Sequence, residues 1–341
     1  MTGAGVEVTE AGTAFPSLEH PRTLQKAIRF PLDQTQFDRQ QNAPELEQST
    51  KPFTSSVVPG KATRRPATIN SSPCSPVVQI NRLQSNNRLI DPALYNSTMK
   101  LQFSTWPEIE GYLEKTRGIV IPIGSTEQHG PTGLIGTDAL CPEIIAEGLH
   151  AEGILIGPTL SIGMAQHHLG FPGSITLRPS TLMAVVVDVV RSLAVQGFEH
   201  FYFLNGHGGN IATVNAAFAE VYADSSLSGN AGELNLKLAN WFAGKRVTRL
   251  SRELYGDAEG SHATPSEISL TWHAYPDQQR DVPLEPKRAP DGPIRDAADY
   301  RKRFPDGRIG AESGLASREH GRQFYEAALA DALEDYHNFL S

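Results

Sequence analysis

The 341-residue chain is poor in cysteine, in long apolar runs and in positive charge. Its two cysteines, Cys74 and Cys141, lie far apart in contrasting contexts. That argues against a disulfide framework and for a reducing, cytoplasmic setting. No stretch approaches the ~18 consecutive apolar residues of a membrane span. The first thirty residues carry Glu7, Glu10 and Glu19 and no continuous apolar segment, so no secretory signal is read there. A formal net charge of -8 argues against the basic footprint of a nucleic-acid-binding protein. Ser125 lies in no G-x-S-x-G elbow, which argues against a serine hydrolase, and no G-x-x-x-x-G-K-[ST] phosphate loop is present.

Hydrophobic residues make up 39% of the chain, a low share that leaves part of it outside a core. Residues 1–98 are that part. They are dense in Ser, Thr, Pro, Gln and Asn and hold ten basic against eight acidic residues, whereas residues 99–341 hold twenty against thirty. Low hydrophobicity and many turn formers do not offset the entropy of ordering a chain, so a disordered extension is expected, with a short helix around Leu24–Phe30 as its one candidate element. Met99 opens the regular pattern and is a candidate translational start.

From Met99 onward, strand and helix patterns alternate. Thr105 or Ser104 caps a helix that begins Trp106-Pro107-Glu108 and runs to about Lys115. Gly118–Ile123 is an apolar run of the kind buried on both faces of a sheet. A helix is expected at Ala139–His150, a strand at Ile154–Ile156, and a Gly-rich loop with a short β piece over Leu160–Leu177. Leu182, Val185, Val186, Val189, Val190 and Leu193 recur at helical spacing within Pro179–Val195, which Gly197 ends. His200–Leu204 and Leu236–Phe242 read as strands, Ile211–Ala223 as a helix, and 260–276 as loop plus helix. Asp281–Ile309 reads as Pro-rich charged loop, and Gly314–Phe339 as a closing amphipathic helix. The expected fold is α/β, a mainly parallel sheet with helices on both faces.

In such sheets ligands gather beyond the carboxyl ends of the strands. Glu127 and His129 follow the first strand, two residues apart, so an extended backbone turns both to one side. Asp138 returns after a Gly- and Pro-containing loop. His207 follows the second strand among Gly206, Gly208 and Gly209, which permit close backbone approach. His262 and Glu267 follow the third strand at greater distance. Two histidines, two glutamates and an aspartate suit Zn²⁺, Mn²⁺ or Fe²⁺ better than Ca²⁺. With one carboxylate bridging they would hold two ions ~3.5–4 Å apart, a pair that activates water and polarises a carbonyl. His168 and Trp241 are candidates for substrate contact, with loop pinning and core filling as their respective alternatives. His167 is expected to be exposed, Ser125 to be a turn residue and Cys141 to be small buried filling.

STEQHGP and GLIGTD across 125–138, HLGFPGSITL at 168–177, NGHGGN at 205–210, and His262-Ala263 followed by Glu267 together resemble the creatininase (creatinine amidohydrolase) family over Met99–Pro276. The resemblance implies a three-layer α/β/α fold and a metal-dependent amidohydrolase acting on a small-molecule amide with two divalent ions, often as a homo-oligomer. It implies that Glu127, Asp138 and His207 hold one metal and that His129 and Asp138 hold the other, with His262 catalytic and Glu267 the acid five residues after it. Creatininase itself reads NGHYEN; here Gly208 and Gly209 replace the Tyr that contacts substrate and the Glu that binds the second metal. Creatinine is therefore a poor fit, and Glu267 is expected to complete the second metal's ligands. Gly208 is expected to border the substrate. The glycine form resembles branches that act on formamides and on the mycofactocin peptide. The expected reaction is hydrolysis of a non-peptide amide, cyclic amide or formamide by a metal-activated water. A creatininase-fold peptidase or formamide deformylase is the near alternative. A metal-stabilised binding or regulatory protein without turnover is the distant one.

Overall fold

A computed structural model of the chain describes residues 100–229 and 233–341. The expectations for residues 1–98 lie outside the described residues. Three strands, β1 (Gly118–Ile123), β2 (His200–Asn205) and β3 (Asn235–Asn240), form one parallel sheet in the order β1-β2-β3. Gly118 pairs with His200 and His200 with Asn235, so all three carboxyl ends finish at one level.

Alternation along the strands divides the core in two. Ile119, Ile121, Ile123, Phe201 and Phe203 point to one face, where α1 (Trp106–Leu113), α3 (Pro179–Ala194) and α4 (Ile211–Ser228) cover them. Val120, Tyr202 and Leu204 point to the other, under α2 (Thr137–Ala151), α5 (Lys245–Leu254), α6 (Pro265–Ala274) and α8 (Arg318–Leu340). Each fully buried aliphatic or aromatic side chain contributes roughly 1.5–3 kcal/mol, and all six β1 residues are buried. This is the expected three-layer α/β/α arrangement. Among the described residues no helix is long and apolar enough to cross a membrane.

Three local expectations differ from the structure. Ile154–Ile156 forms no strand: Ile156 makes single parallel bridges to Lys100 and Val120, and Leu160 one to Ile123. Pro122 in β1 has no N–H to donate and only accepts from Leu160 N (2.9 Å), so the ladder is interrupted there. The segment Asp281–Ile309 contains α7 (Ala297–Arg303), capped by Asp296, which accepts from Ala298 N and Asp299 N. It also pairs Ile309 with His262 in an antiparallel bridge. Finally, α5 follows β3 where no helix was expected. It is strongly charged and has few apolar residues, Val247 buried and Leu250 and Leu254 half-buried against the same core.

Candidate metal centre

The site lies where β1 and β2 end. Beyond Ile123 the chain runs through Gly124 and Ser125 into the Glu127–His129 segment, and α2 starts directly above it. A Cβ at Gly124 or at Gly206 would collide with the backbone carbonyl of Asp138. These two glycines, one at the end of each strand, let the first turn of α2 descend until Asp138 reaches the strand ends.

The loop after β2 is held by its two asparagines. Asn205 Nδ2 donates to His207 O (2.7 Å), and His207 N donates to Asn205 Oδ1 (3.1 Å). Asn210 Nδ2 donates to Gly124 O (2.9 Å), which ties the loop to the end of β1, while its Oδ1 accepts from Met164 N (3.0 Å). Sequence reasoning singled out neither residue, although both flank the glycine run.

The ligand candidates converge in three groups, two of which share Asp138. Glu127, Asp138 and His207 bring donor atoms within 4.8 Å of one another, and so do His129, Asp138 and Glu267. Asp138 belongs to both: His129 Nε2 stands 3.0 Å from its Oδ1, and His207 Nδ1 stands 2.8 Å from its Oδ2. A third group joins Glu127, His129 and His262. Glu267, three residues into the N-terminal turn of α6, divides its carboxylate. Oε1 accepts from Thr264 N (2.5 Å) in a capping box, and Oε2 faces His129 Nε2 at 3.9 Å. The pattern Thr264-x-x-Glu267 is a readable signal for that cap.

Backbone carbonyls fix the histidine tautomers. His129 Nδ1 lies 3.0 Å from Glu127 O, His207 Nε2 2.9 Å from Met164 O, and His262 Nε2 2.8 Å from Gln128 O. A carbonyl only accepts, so the proton sits on that nitrogen and the other ring nitrogen of each histidine faces the cluster. This is the outer support typical of metal-binding imidazoles.

Charge in the site is one-sided. Among the described residues, Glu127, Asp138 and Glu267 have imidazoles and no Lys or Arg as ion-pair partners. Burial, and then Asp138, push the Glu127 carboxyl up to about 8. Burial also raises Asp138, but His129 and His207 outweigh it and hold the carboxyl well below the usual range. Burial works downward on His129 and His207. The carboxylates prevail there: Asp138, Glu267 and Glu127 lift His129 to about 10, and Glu127 and Asp138 lift His207 to about 9. Glu127 Oε1 and Asp138 Oδ2 are fully buried without a hydrogen bond. His168 Nε2 stands 2.9 Å from the first and His207 Nδ1 2.8 Å from the second. Buried carboxylate oxygens without donors, facing imidazole nitrogens, fit a divalent cation.

His262 is different. Burial, and then the neighbouring His129, hold its ring well below the ordinary range, so it is neutral at pH 7. Its Nδ1 lies 3.9 Å from Glu127 Oε1. The following residue, Ala263, has a left-handed backbone (φ 55°) and is fully buried. Strain of this kind costs about 1–3 kcal/mol and collects at functional sites.

A cavity of about 530 Å³ opens over the cluster. Trp241 lines it and is also packed into the core. Gly208 lines it too, and a Cβ there would meet nothing within 4 Å. At Gly209 a Cβ would collide with His207 Nε2, so this backbone has no room for the acid that creatininase carries at that position. His168 is 2% exposed, with Nε2 against Glu127. His167, expected to be exposed, is instead half-buried on the cavity wall. Ser125 Oγ donates to Glu127 Oε2 (2.8 Å), and Cys141 is buried in α2. Gln128 and Tyr300 escaped sequence reasoning. Gln128 Oε1 accepts from Gly130 N (2.8 Å), while its Nε2 lies 3.0 Å from Tyr300 Oη and from Gly307 O, linking the Glu127 loop to α7.

Comparison with known proteins agrees with this geometry. The family model described as creatininase, creatinine amidohydrolase, matches residues 102–335. A 3-dehydro-scyllo-inosose hydrolase of Thermotoga maritima is 27% identical over 260 residues, 68% of this chain and 80% of that protein. A mycofactocin precursor peptide peptidase of Mycobacterium ulcerans is 30% identical over 146 residues, 40% of this chain and 54% of that protein. A solved creatininase structure, the Mn form, superposes with a TM-score of 0.63 at 22% identity, covering 72% of this chain and 99% of that one. The chain belongs to the creatininase family of metal-dependent hydrolases.

Proposed function

We propose that the protein is an amidohydrolase that cleaves a non-peptide amide, a cyclic amide or a formamide with two divalent ions, Zn²⁺ or Mn²⁺, with Fe²⁺ as a further option. The observation that supports it most is Asp138, shared between the buried groups Glu127–Asp138–His207 and His129–Asp138–Glu267. In this reading Glu127, Asp138 and His207 would hold one ion and His129, Asp138 and Glu267 the other, with Glu267 in place of the acid absent at Gly209. Two such ions activate water and polarise a carbonyl.

The chain's own residues do the rest. His262 keeps its Nε2 proton on Gln128 O and turns the Nδ1 lone pair toward the cluster. It accepts the proton that the attacking water gives up and then delivers it to the leaving nitrogen, where amide cleavage needs an acid. Its role is thus base first and donor second. His168 stands against Glu127, while His167 and Trp241 wall the cavity and exclude water. Gly208 leaves space for the substrate beside His207.

Turnover of formamides, lactams, cyclic ureides and short peptides in Mn²⁺ or Zn²⁺ tests the proposal. Activity on at least one non-peptide amide is expected, with His262→Ala losing it while retaining the metals. Silence across the panel overturns the reading in favour of a metal-stabilised binding protein. A second reading takes the substrate to be a hydroxyl-bearing ring, as in the name of the Thermotoga relative. The hydroxyls of Thr248, Ser251, Ser261, Thr264 and Ser266 on the cavity wall favour it.

A further inference from the structure

Three imidazoles stand side by side on the wall of the cavity. The His168 ring lies 4.6 Å from that of His262 and 4.3 Å from that of His167, centroid to centroid. Two of the three are committed. His168 has Nε2 against Glu127 and Nδ1 3.0 Å from Gln128 Nε2, and His262 donates from Nε2 to Gln128 O. His167 is not. Among the described residues it makes no hydrogen bond and no ion pair, and neither of its ring nitrogens is closed off from the surface. It also belongs to none of the donor groups that could hold a metal. Its ring is nevertheless placed, half-buried and nearly parallel to His207 (6.5 Å, 21°) and to Tyr300 (6.0 Å, 24°). Burial, and then His207, hold the ring down at about 4, so it is neutral at pH 7 and offers one donor and one acceptor.

Pockets for small molecules fix the orientation of their ligand with a few placed polar groups. An imidazole held by its neighbours, with open nitrogens and no metal to bind, is such a group. We propose that His167 is a substrate-binding residue, one of whose free ring nitrogens hydrogen-bonds the amide group of the substrate beside His207. An amide presents a carbonyl acceptor and, where nitrogen carries hydrogen, a donor, so either face of the neutral ring finds its complement. The inference rests on the amidohydrolase reading of this cavity and deepens it.

The test uses the full-length, metal-loaded protein and its His167→Phe and His167→Gln variants, with metal content and melting temperature measured first. Phenylalanine keeps a ring against His207 and Tyr300 but has no nitrogen. Glutamine loses the ring but keeps a donor and an acceptor. Binding of 2-pyrrolidinone, as the amide probe, and of myo-inositol, as the hydroxyl probe, is followed by ligand-observed NMR. The wild type is expected to bind 2-pyrrolidinone and His167→Phe to bind it about fivefold more weakly, as the loss of one hydrogen bond predicts. His167→Gln is expected to fall between the two. Equal binding by the wild type and His167→Phe, or none by the wild type, overturns the proposal. Binding of myo-inositol alone, weakened in His167→Phe, overturns it as well, because the contact then serves a hydroxyl. A second measurement needs no variant. Diethyl pyrocarbonate, which acylates accessible neutral imidazoles, is expected to label His167 in the wild type, read by mass spectrometry, and 2-pyrrolidinone to slow the labelling. An unlabelled His167 overturns the proposal. Lactam binding through His167 by a wild type that turns over no amide would contradict the hydrolase reading and not the contact. Amide turnover with equal lactam binding by the wild type and His167→Phe would do the reverse.

Discussion

Glu267 gives one carboxylate oxygen to the N-terminus of its own helix and turns the other toward His129 Nε2, 3.9 Å away. The residue is therefore a helix cap and, in the proposed centre, a metal ligand, two roles that substitution separates. Glu267→Gln keeps the capping box, since glutamine serves at that position. Glu267→Ala also removes the cap, at a cost of about 1 kcal/mol. Both variants should hold one metal ion fewer than the wild type by elemental analysis. Only the alanine variant should melt lower when the two metal-free variants are compared. Unchanged metal content in both would remove Glu267 from the ligand set.

Gly206 and Gly208 are two residues apart and should respond oppositely to the same change. A Cβ at 206 meets the Asp138 carbonyl and the Pro142 ring, whereas a Cβ at 208 meets nothing. Gly206→Ala should destabilise the fold by about 1–3 kcal/mol through overpacking and displace Asp138. Gly208→Ala should fall within about 0.5 kcal/mol of wild type. Urea unfolding with parallel metal analysis checks both. Equal effects at the two positions would contradict the close approach of α2 to the strand end.

Most of the layer architecture was legible because burial on both sheet faces leaves unbroken apolar runs, as in Gly118–Ile123, and because α3 carries a clear helical period. Glu127, His129, Asp138 and His207 were legible as types of side chain placed just after strands. What escaped is thin in apolar residues or acts through polar contacts. The helix α5 buries one residue, and α7 is short and sits among prolines. Gln128, Asn210 and Tyr300 act through hydrogen bonds to groups distant in sequence and Asn205 through bonds to the His207 backbone, none of which leaves a periodic pattern. Ile154–Ile156 had the apolar signature of a strand, but Pro122 on the facing strand lacks the N–H that a ladder needs.

Burial, the largest influence, lifts the Glu259 carboxyl to about 7 from its ordinary 4.5, with Ser266 opposing and Glu267 adding to the rise. Below pH 4.5 folded and unfolded chains both hold this proton. As pH rises from 4.5 toward 7, the unfolded chain releases it while the folded chain retains it, so folding loses stability across that window. Above it the penalty is constant. The melting temperature of Glu259→Gln relative to wild type should therefore rise between these pH values and then level off. A difference that stays flat across the window would contradict a buried, proton-retaining Glu259.

The central claim is a two-metal centre arranged around Asp138. Anomalous X-ray scattering from crystals grown with Mn²⁺ or Zn²⁺ tests it most directly. The account predicts two peaks about 3.5–4 Å apart, one against Glu127 and His207, the other against His129 and Glu267, with Asp138 touching both. A single peak, or two peaks that do not share Asp138, would contradict it.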